Sequence, residues 1–170
     1  KIAAAASQLP VIMVGHNRRF SPHAQQLQKW LLLRKNPMVL QLRVNSGFVP
    51  SDHWVHSEEE GRSRIVGEMT HFIDLLEALT GTSVLRVHAE RIGGDNRSAV
   101  NNDNIAVTMK FLEGSVANLT YTASGDKSYS REVLEIFFEG KTLLSEDFRI
   151  SKRFYGGKTE TFKTQGQQMG

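Results

Sequence analysis

The sequence has 170 residues, 39% of them hydrophobic and 23% charged, which is enough chain and enough apolar content for one domain with a real core. Its formal net charge of +3 comes without a dominant basic run, so a nucleic-acid partner is not indicated. Cysteine is absent, which excludes disulfides and thiolate metal sites and fits a reducing cytoplasm, and no apolar run approaches the ~20 residues of a membrane helix, so no membrane partner is expected.

The chain opens on Lys1–Ser7, whose Ala3–Ala6 run reads as the end of a helix. Val11–Val14, between Pro10 and Gly15, is a short continuous apolar run, the pattern of a strand buried on both faces. A helix tail feeding such a strand suits the last unit of a doubly wound domain, and equally a peripheral strand of this domain. Ser21-Pro22 is a helix start, with Ser at the N-cap and Pro at the first helical position. That helix is predicted to run to about Leu33 with Ala24, Leu27, Trp30 and Leu31 facing inward. Arg18 and Arg19 precede it and suit either an anionic or hydroxyl-rich ligand or structural salt bridges.

Met38–Phe48 is β-rich and ends at Asn45-Ser-Gly-Phe48. The loop that follows carries His53, Trp54 and His56. His53 with Trp54 suits a flat, hydroxylated substrate, while Trp54 as a core plug is the alternative. His53, His56 and Glu58 are zinc-type residues without a closed ligand set, so no metal is expected.

Gly61–Gly81 reads as one amphipathic helix, with Ser63 as N-cap and Gly81 as the left-handed C-terminal cap. Ile65, Val66, Met69, Phe72, Ile73, Leu76 and Leu79 form its apolar stripe. Glu68 and His71, three residues apart, are surface neighbours beside that stripe and form a candidate acid/base pair. A chance surface pair is the alternative reading.

The rest reads as short strands: Ser83–Glu90, Asn104–Leu112, Ser115–Ala123, Arg131–Phe138, Lys141–Glu146, Phe148–Tyr155 and Glu160–Thr164. Glu113-Gly114 and Glu139-Gly140 are hairpin signals, Gly93–Asn102 is a polar loop, and Ser124–Ser130 is a polar loop able to cover a site. The architecture implied is α+β in two layers, a mostly antiparallel open sheet with helices on one face. The uncovered face holds Ala106, Thr108, Lys110, Asn118, Thr120 and Thr122, a mixed surface compatible with a homo-oligomer.

Three stretches together, Val14–Pro22, Asn45–Trp54 and Gly67–Asp74, resemble the Gfo/Idh/MocA oxidoreductases. The resemblance implies a two-domain enzyme, with a Rossmann domain that binds NAD or NADP and a dihydrodipicolinate-reductase-like C-terminal domain that supplies the substrate side and the oligomer interface. On it, residues 1–15 are the remnant of the Rossmann domain, and residues 16–170 are the C-terminal domain. His71 matches the family histidine that acts at the substrate hydroxyl, with Glu68 assisting and Arg19, Asn45, His53 and Trp54 lining the pocket for a sugar, sugar-nucleotide or polyol. The family places an aspartate four residues before the histidine, where this sequence has Gly67, and its catalytic lysine and glycine-rich phosphate loop lie in the Rossmann portion. A non-catalytic binding or assembly module with the same fold is the alternative function.

Overall fold

Ser21 begins the first helix: its hydroxyl accepts the Ala24 amide at 3.1 Å, and Pro22 occupies the first turn. In this computed structural model, which describes residues 13–57, 59, 63–93 and 103–166, helix α1 spans Pro22–Leu31. It buries Ala24, Leu27, Trp30 and Leu31 as the spacing predicted. The helix ends at Leu31 rather than Leu33, because Leu32 and Leu33 point into solvent and nothing rewards another turn.

The central helix differs from its sequence pattern in an instructive way. It opens as a π-helical turn, Ile65–Met69, and becomes α-helix α2 only over Thr70–Thr80. Ser63 does not cap it: Ser63 has φ 91°, and no side-chain cap bond is made at the start. Val66 is 56% exposed, while Leu75, outside the predicted stripe, is fully buried: it lies three residues after Phe72 and four before Leu79, on their face of the helix. Gly81 ends the helix at φ 76°, the left-handed C-terminal cap the sequence called for.

Eight strands follow the predicted order: β1 Val39–Asn45, β2 Val84–Arg91, β3 Ile105–Phe111, β4 Val116–Thr122, β5 Glu132–Phe138, β6 Lys141–Glu146, β7 Ile150–Tyr155 and β8 Lys158–Lys163. They form one sheet ordered β2-β3-β4-β1-β5-β6-β7-β8, in which only β1–β4 is parallel. The β5–β6 turn, Glu139-Gly140, has φ 49° and 70°, the primed geometry that matches strand twist. The fold is therefore the α+β two-layer, mostly antiparallel arrangement read from the sequence. Leu40, Leu42 and Val44 face α1 and α2, together with Leu119, Tyr121, Leu134 and Ile136. Ala106, Thr108, Asn118 and Thr120 lie exposed on the opposite face. Met13 and Val14 are exposed and not in a strand, while Val11, Ile12 and the helix expected over Lys1–Ser7 lie outside the described residues.

One buried ion pair clamps the layers. Arg18, in a 3-10 turn at Arg18–Phe20, donates from Nη2 to Glu132 Oε1 at 2.8 Å and from Nε to Oε2 at 3.3 Å. Its guanidinium also lies 4.3 Å from the Phe72 ring centroid. Glu132 is 1% exposed, so Arg18→Met would leave a carboxylate buried with only the looser Arg131 contact at 3.7 Å. The expected cost is about 3–5 kcal/mol in urea denaturation, most of it recovered in Arg18→Met/Glu132→Leu. A loss under about 1 kcal/mol would mean that the pair is not the clamp described here.

Candidate active site

The π turn carries Glu68 inward along the sheet end, where its carboxylate is fully engaged. Arg64 Nε donates to Oε1 at 3.0 Å, and the Tyr121 hydroxyl donates to Oε2 at 2.7 Å. Arg131 Nη2 donates to the same Oε2 at 3.3 Å. Burial alone would raise the Glu68 pKa, but the hydrogen bonds from Arg64 and Tyr121 and the charges of Arg64 and Arg131 outweigh it and hold the carboxyl below 4.5. Tyr121, fully buried, has its phenol pushed up mainly by burial and so stays a donor. Glu68 is thus a fixed anion that orients its neighbours. Its hydrogen bonds go to Arg64, Tyr121 and Arg131 and not to His71, so the direct acid/base contact expected from the i, i+3 spacing is not made: the three donors draw the carboxylate toward β4 and the start of β5.

His71 stands one helical turn further on, half-buried, with its Nδ1 buried and without a hydrogen-bond partner among the described residues. Its ring meets that of His16 edge to face, with centroids 5.2 Å apart. Burial and then the charges of Arg18 and His16 lower its pKa from 6.5, with Asp74 and Glu68 partly opposing. The imidazole is therefore neutral near pH 7, with a ring nitrogen left over, which is the state a general base requires.

The other candidate residues divide. Arg19 donates to Asp74 Oδ2 at 2.7 Å and to Oδ1 at 2.6 Å, so its fork is committed to helix α2 rather than to a ligand. His16 Nδ1 approaches the same carboxylate at 3.4 Å. Asn45 is buried and braces a loop: its Nδ2 donates to the Asp126 carbonyl at 2.7 Å, while its Oδ1, without a hydrogen-bond partner among the described residues, packs where a Cβ on Gly125 would fall, 2.3 Å away. His53 and Trp54 stay available. Trp54 is 60% exposed on a 3-10 turn, Trp54–His56, and is not a core plug. The Ser63 amide bonds the Val55 carbonyl at 3.1 Å, which ties that turn to the start of the π segment.

Gly67, where the resemblance expects aspartate, is exposed with no atom within 4 Å of a built Cβ, so packing does not forbid a carboxylate there. Among the described residues no group of three or more His, Asp or Glu side chains is placed to hold a metal, and Glu58 lies outside them. His16, Arg64 and Tyr121 escaped the sequence reading. His16 and Tyr121 reach the site through partners distant in sequence, whereas Arg64 meets Glu68 at the local i, i+4 spacing.

No family model matches the sequence, and no curated protein does either. Solved structures do match. An NAD binding oxidoreductase from Klebsiella pneumoniae superposes with TM-score 0.74 at 18% identity, over 95% of this chain and 50% of that one. The chain has the fold of the C-terminal domain of Gfo/Idh/MocA oxidoreductases. UDP-N-acetylglucosamine 3-dehydrogenase GnnA from Acidithiobacillus ferrooxidans gives TM-score 0.69 at 22% identity, over 96% of this chain and 50% of that one. Levoglucosan dehydrogenase, in complex with NADH and levoglucosan, gives 0.71 at 17% identity, over 91% and 47%. The chain spans about half the length of these Gfo/Idh/MocA-type structures.

The Glu68 network carries a pH signature. A carboxyl held below its ordinary value stabilises the fold above about pH 4.5, and that contribution is lost as pH falls through the lowered value. Glu68→Gln is expected to cost about 1.5–3 kcal/mol at pH 7, measured by urea denaturation, with the difference from the parent shrinking by pH 3. A difference that does not change with pH would assign the loss to packing instead.

Proposed function

We propose that this chain is the substrate half of an NAD- or NADP-dependent dehydrogenase acting on a hydroxyl of a sugar, sugar nucleotide or polyol. Residues 1–15 belong in this reading to the cofactor-binding half, and residues 16–170 to the substrate and assembly half. The observation that carries it is His71: a buried ring nitrogen without a partner, on an imidazole that its surroundings keep neutral. Such a group fits a substrate hydroxyl placed for oxidation, whose proton must go to a base of near-neutral pKa.

NAD(P), when bound, supplies the hydride acceptor or donor. The chain's own residues do the rest. His71 takes the hydroxyl proton in oxidation and returns it in reduction. Glu68, through Arg64, holds the Ser46 and Gly47 carbonyls at the end of β1. The Arg19–Asp74 fork fixes helix α2 one turn beyond His71. His53 and Trp54 form an exposed wall on which a sugar ring can stack. The exposed sheet face is the surface for a homo-oligomer, and a cytoplasmic setting suits the soluble substrate and cofactor. The fold supports this reading through the similar UDP-N-acetylglucosamine 3-dehydrogenase GnnA and the levoglucosan dehydrogenase bound to NADH and levoglucosan.

His71→Ala in the complete protein is expected to lower turnover by about 10²–10⁴ while leaving NADH binding intact. The acidic limb of kcat/KM should fall below pH 6.5, because activity requires neutral His71 and its pKa is lowered. Nicotinamide fluorescence should report NADH or NADPH binding to the complete protein but not to this chain alone. If neither binds, His71 loses its hydride partner and the fold serves as a binding module.

A further inference from the structure

A cavity of about 300 Å³ opens where the loop after β4 meets the β6–β7 turn, lined by Lys127, Ser128, Ser130, Arg131, Asp147 and Arg149. Three cations face one carboxylate there, and that carboxylate is engaged: Asp147 Oδ1 accepts the Glu132 amide at 2.8 Å. Arg131 is shared with Glu68 and Glu132. Among the described residues the side chains of Lys127 and Arg149 have no ion-pair partner.

These charges sit on a braced frame. Arg43 donates to the Ser130 carbonyl at 2.8 Å and stacks over Tyr129 at 4.5 Å. Asn45 holds the Asp126 carbonyl, and the Lys127 stem crosses Gly47 so closely that a Cβ there would stand 2.7 Å from its Cε. Arg149 follows Asp147 and Phe148, two consecutive non-glycine residues at φ 51° and 50°, closed by the Arg149 amide to the Glu146 carbonyl at 3.0 Å. Residues in that left-handed region persist only where the surroundings hold them, here by Asp147 on the Glu132 amide and by burial of Phe148. The cations are therefore presented from fixed backbone, and the Ser128 and Ser130 side chains add hydroxyl donors at the same opening.

We propose that this cavity binds a phosphoryl group of the substrate, and so that the substrate is a phosphorylated or nucleotide-linked sugar. A phosphate offers the oxygens that Arg and Lys donors recognise with charge-assisted bonds, whereas a neutral polyol leaves Lys127 and Arg149 uncompensated. The placement is consistent: Arg131 lines the cavity and also touches Glu68, one turn before His71, so the anion site and the candidate base share one end of the sheet. The inference rests on the dehydrogenase reading for the word substrate, but its test does not.

The test is equilibrium dialysis of the complete protein against radiolabelled pyrophosphate, with NADH at saturation to close the dinucleotide site. Saturable binding is expected, weakened at least tenfold in Lys127→Gln/Arg149→Gln, and largely retained in the charge-conserving Arg149→Lys. Both residues are exposed, so the variants should keep the parent's unfolding midpoint and its NADH affinity. Competition by glucose 1-phosphate against that by UDP separates a sugar phosphate from a nucleoside diphosphate as the source. No saturable binding, or equal affinity in parent and double variant, overturns the proposal. Failure of NADH binding with pyrophosphate binding intact would instead overturn the dehydrogenase reading and keep the anion site.

Discussion

The arrangement turns on the ion pair between Arg18 and Glu132, which are 114 residues apart in the chain. It fastens the segment that carries His16 and Arg19 to the first residue of β5, and it does so across Phe72 in the first turn of helix α2. A buried pair of this kind adds little net stability compared with apolar residues of similar volume, since removing both charges from water offsets most of their attraction. Its effect is specificity of position. On the same segment as Arg18, His16 lies beside His71 and Arg19 reaches Asp74.

The second constraint is the π turn. A regular α-helix, at about 100° per residue, would set Val66 about 120° from Phe72, at the border of the buried face rather than in the core. In the π turn Val66 is exposed, and Glu68 meets Arg64, Tyr121 and Arg131. Glu68 thereby becomes the junction of three elements: its own helix, β4 through Tyr121 and the start of β5 through Arg131. The same anion slightly opposes the lowering of the His71 pKa that burial, Arg18 and His16 impose. Structure and chemistry are coupled here because the groups that hold the helix also set the field at the imidazole.

The proposed base and the proposed anion site then appear as two ends of one assembly. Glu68 reaches Arg131, Arg131 borders the cavity with Lys127 and Arg149, and Asn45 and Arg43 brace the loop between them. A ligand anchored by an anionic group at one end would be positioned at the other by geometry alone, which is how binding energy remote from the reacting atoms is put to use.

What the sequence by itself determined were the features with local causes. The Ser21-Pro22 helix start, the Gly81 cap, the alternating strands and the Glu139-Gly140 hairpin all follow from nearest neighbours, and all stand as read. The three motif stretches implied an architecture, and the neighbouring folds agree with it. Tertiary structure alone decided which charges are spent and which are free. Arg18 and Arg19 look alike in sequence, yet one is buried on Glu132 and the other forked on Asp74, while Arg149, in no motif, is left open. That Asn45 anchors the loop at Asp126 is likewise a tertiary fact. The π turn at Ile65–Met69 had no signal in the stripe, whereas the burial of Leu75, three residues after Phe72, follows the regular helix period. Pairings between residues more than fifty positions apart are fixed by packing, and packing is not written in any local window of the chain.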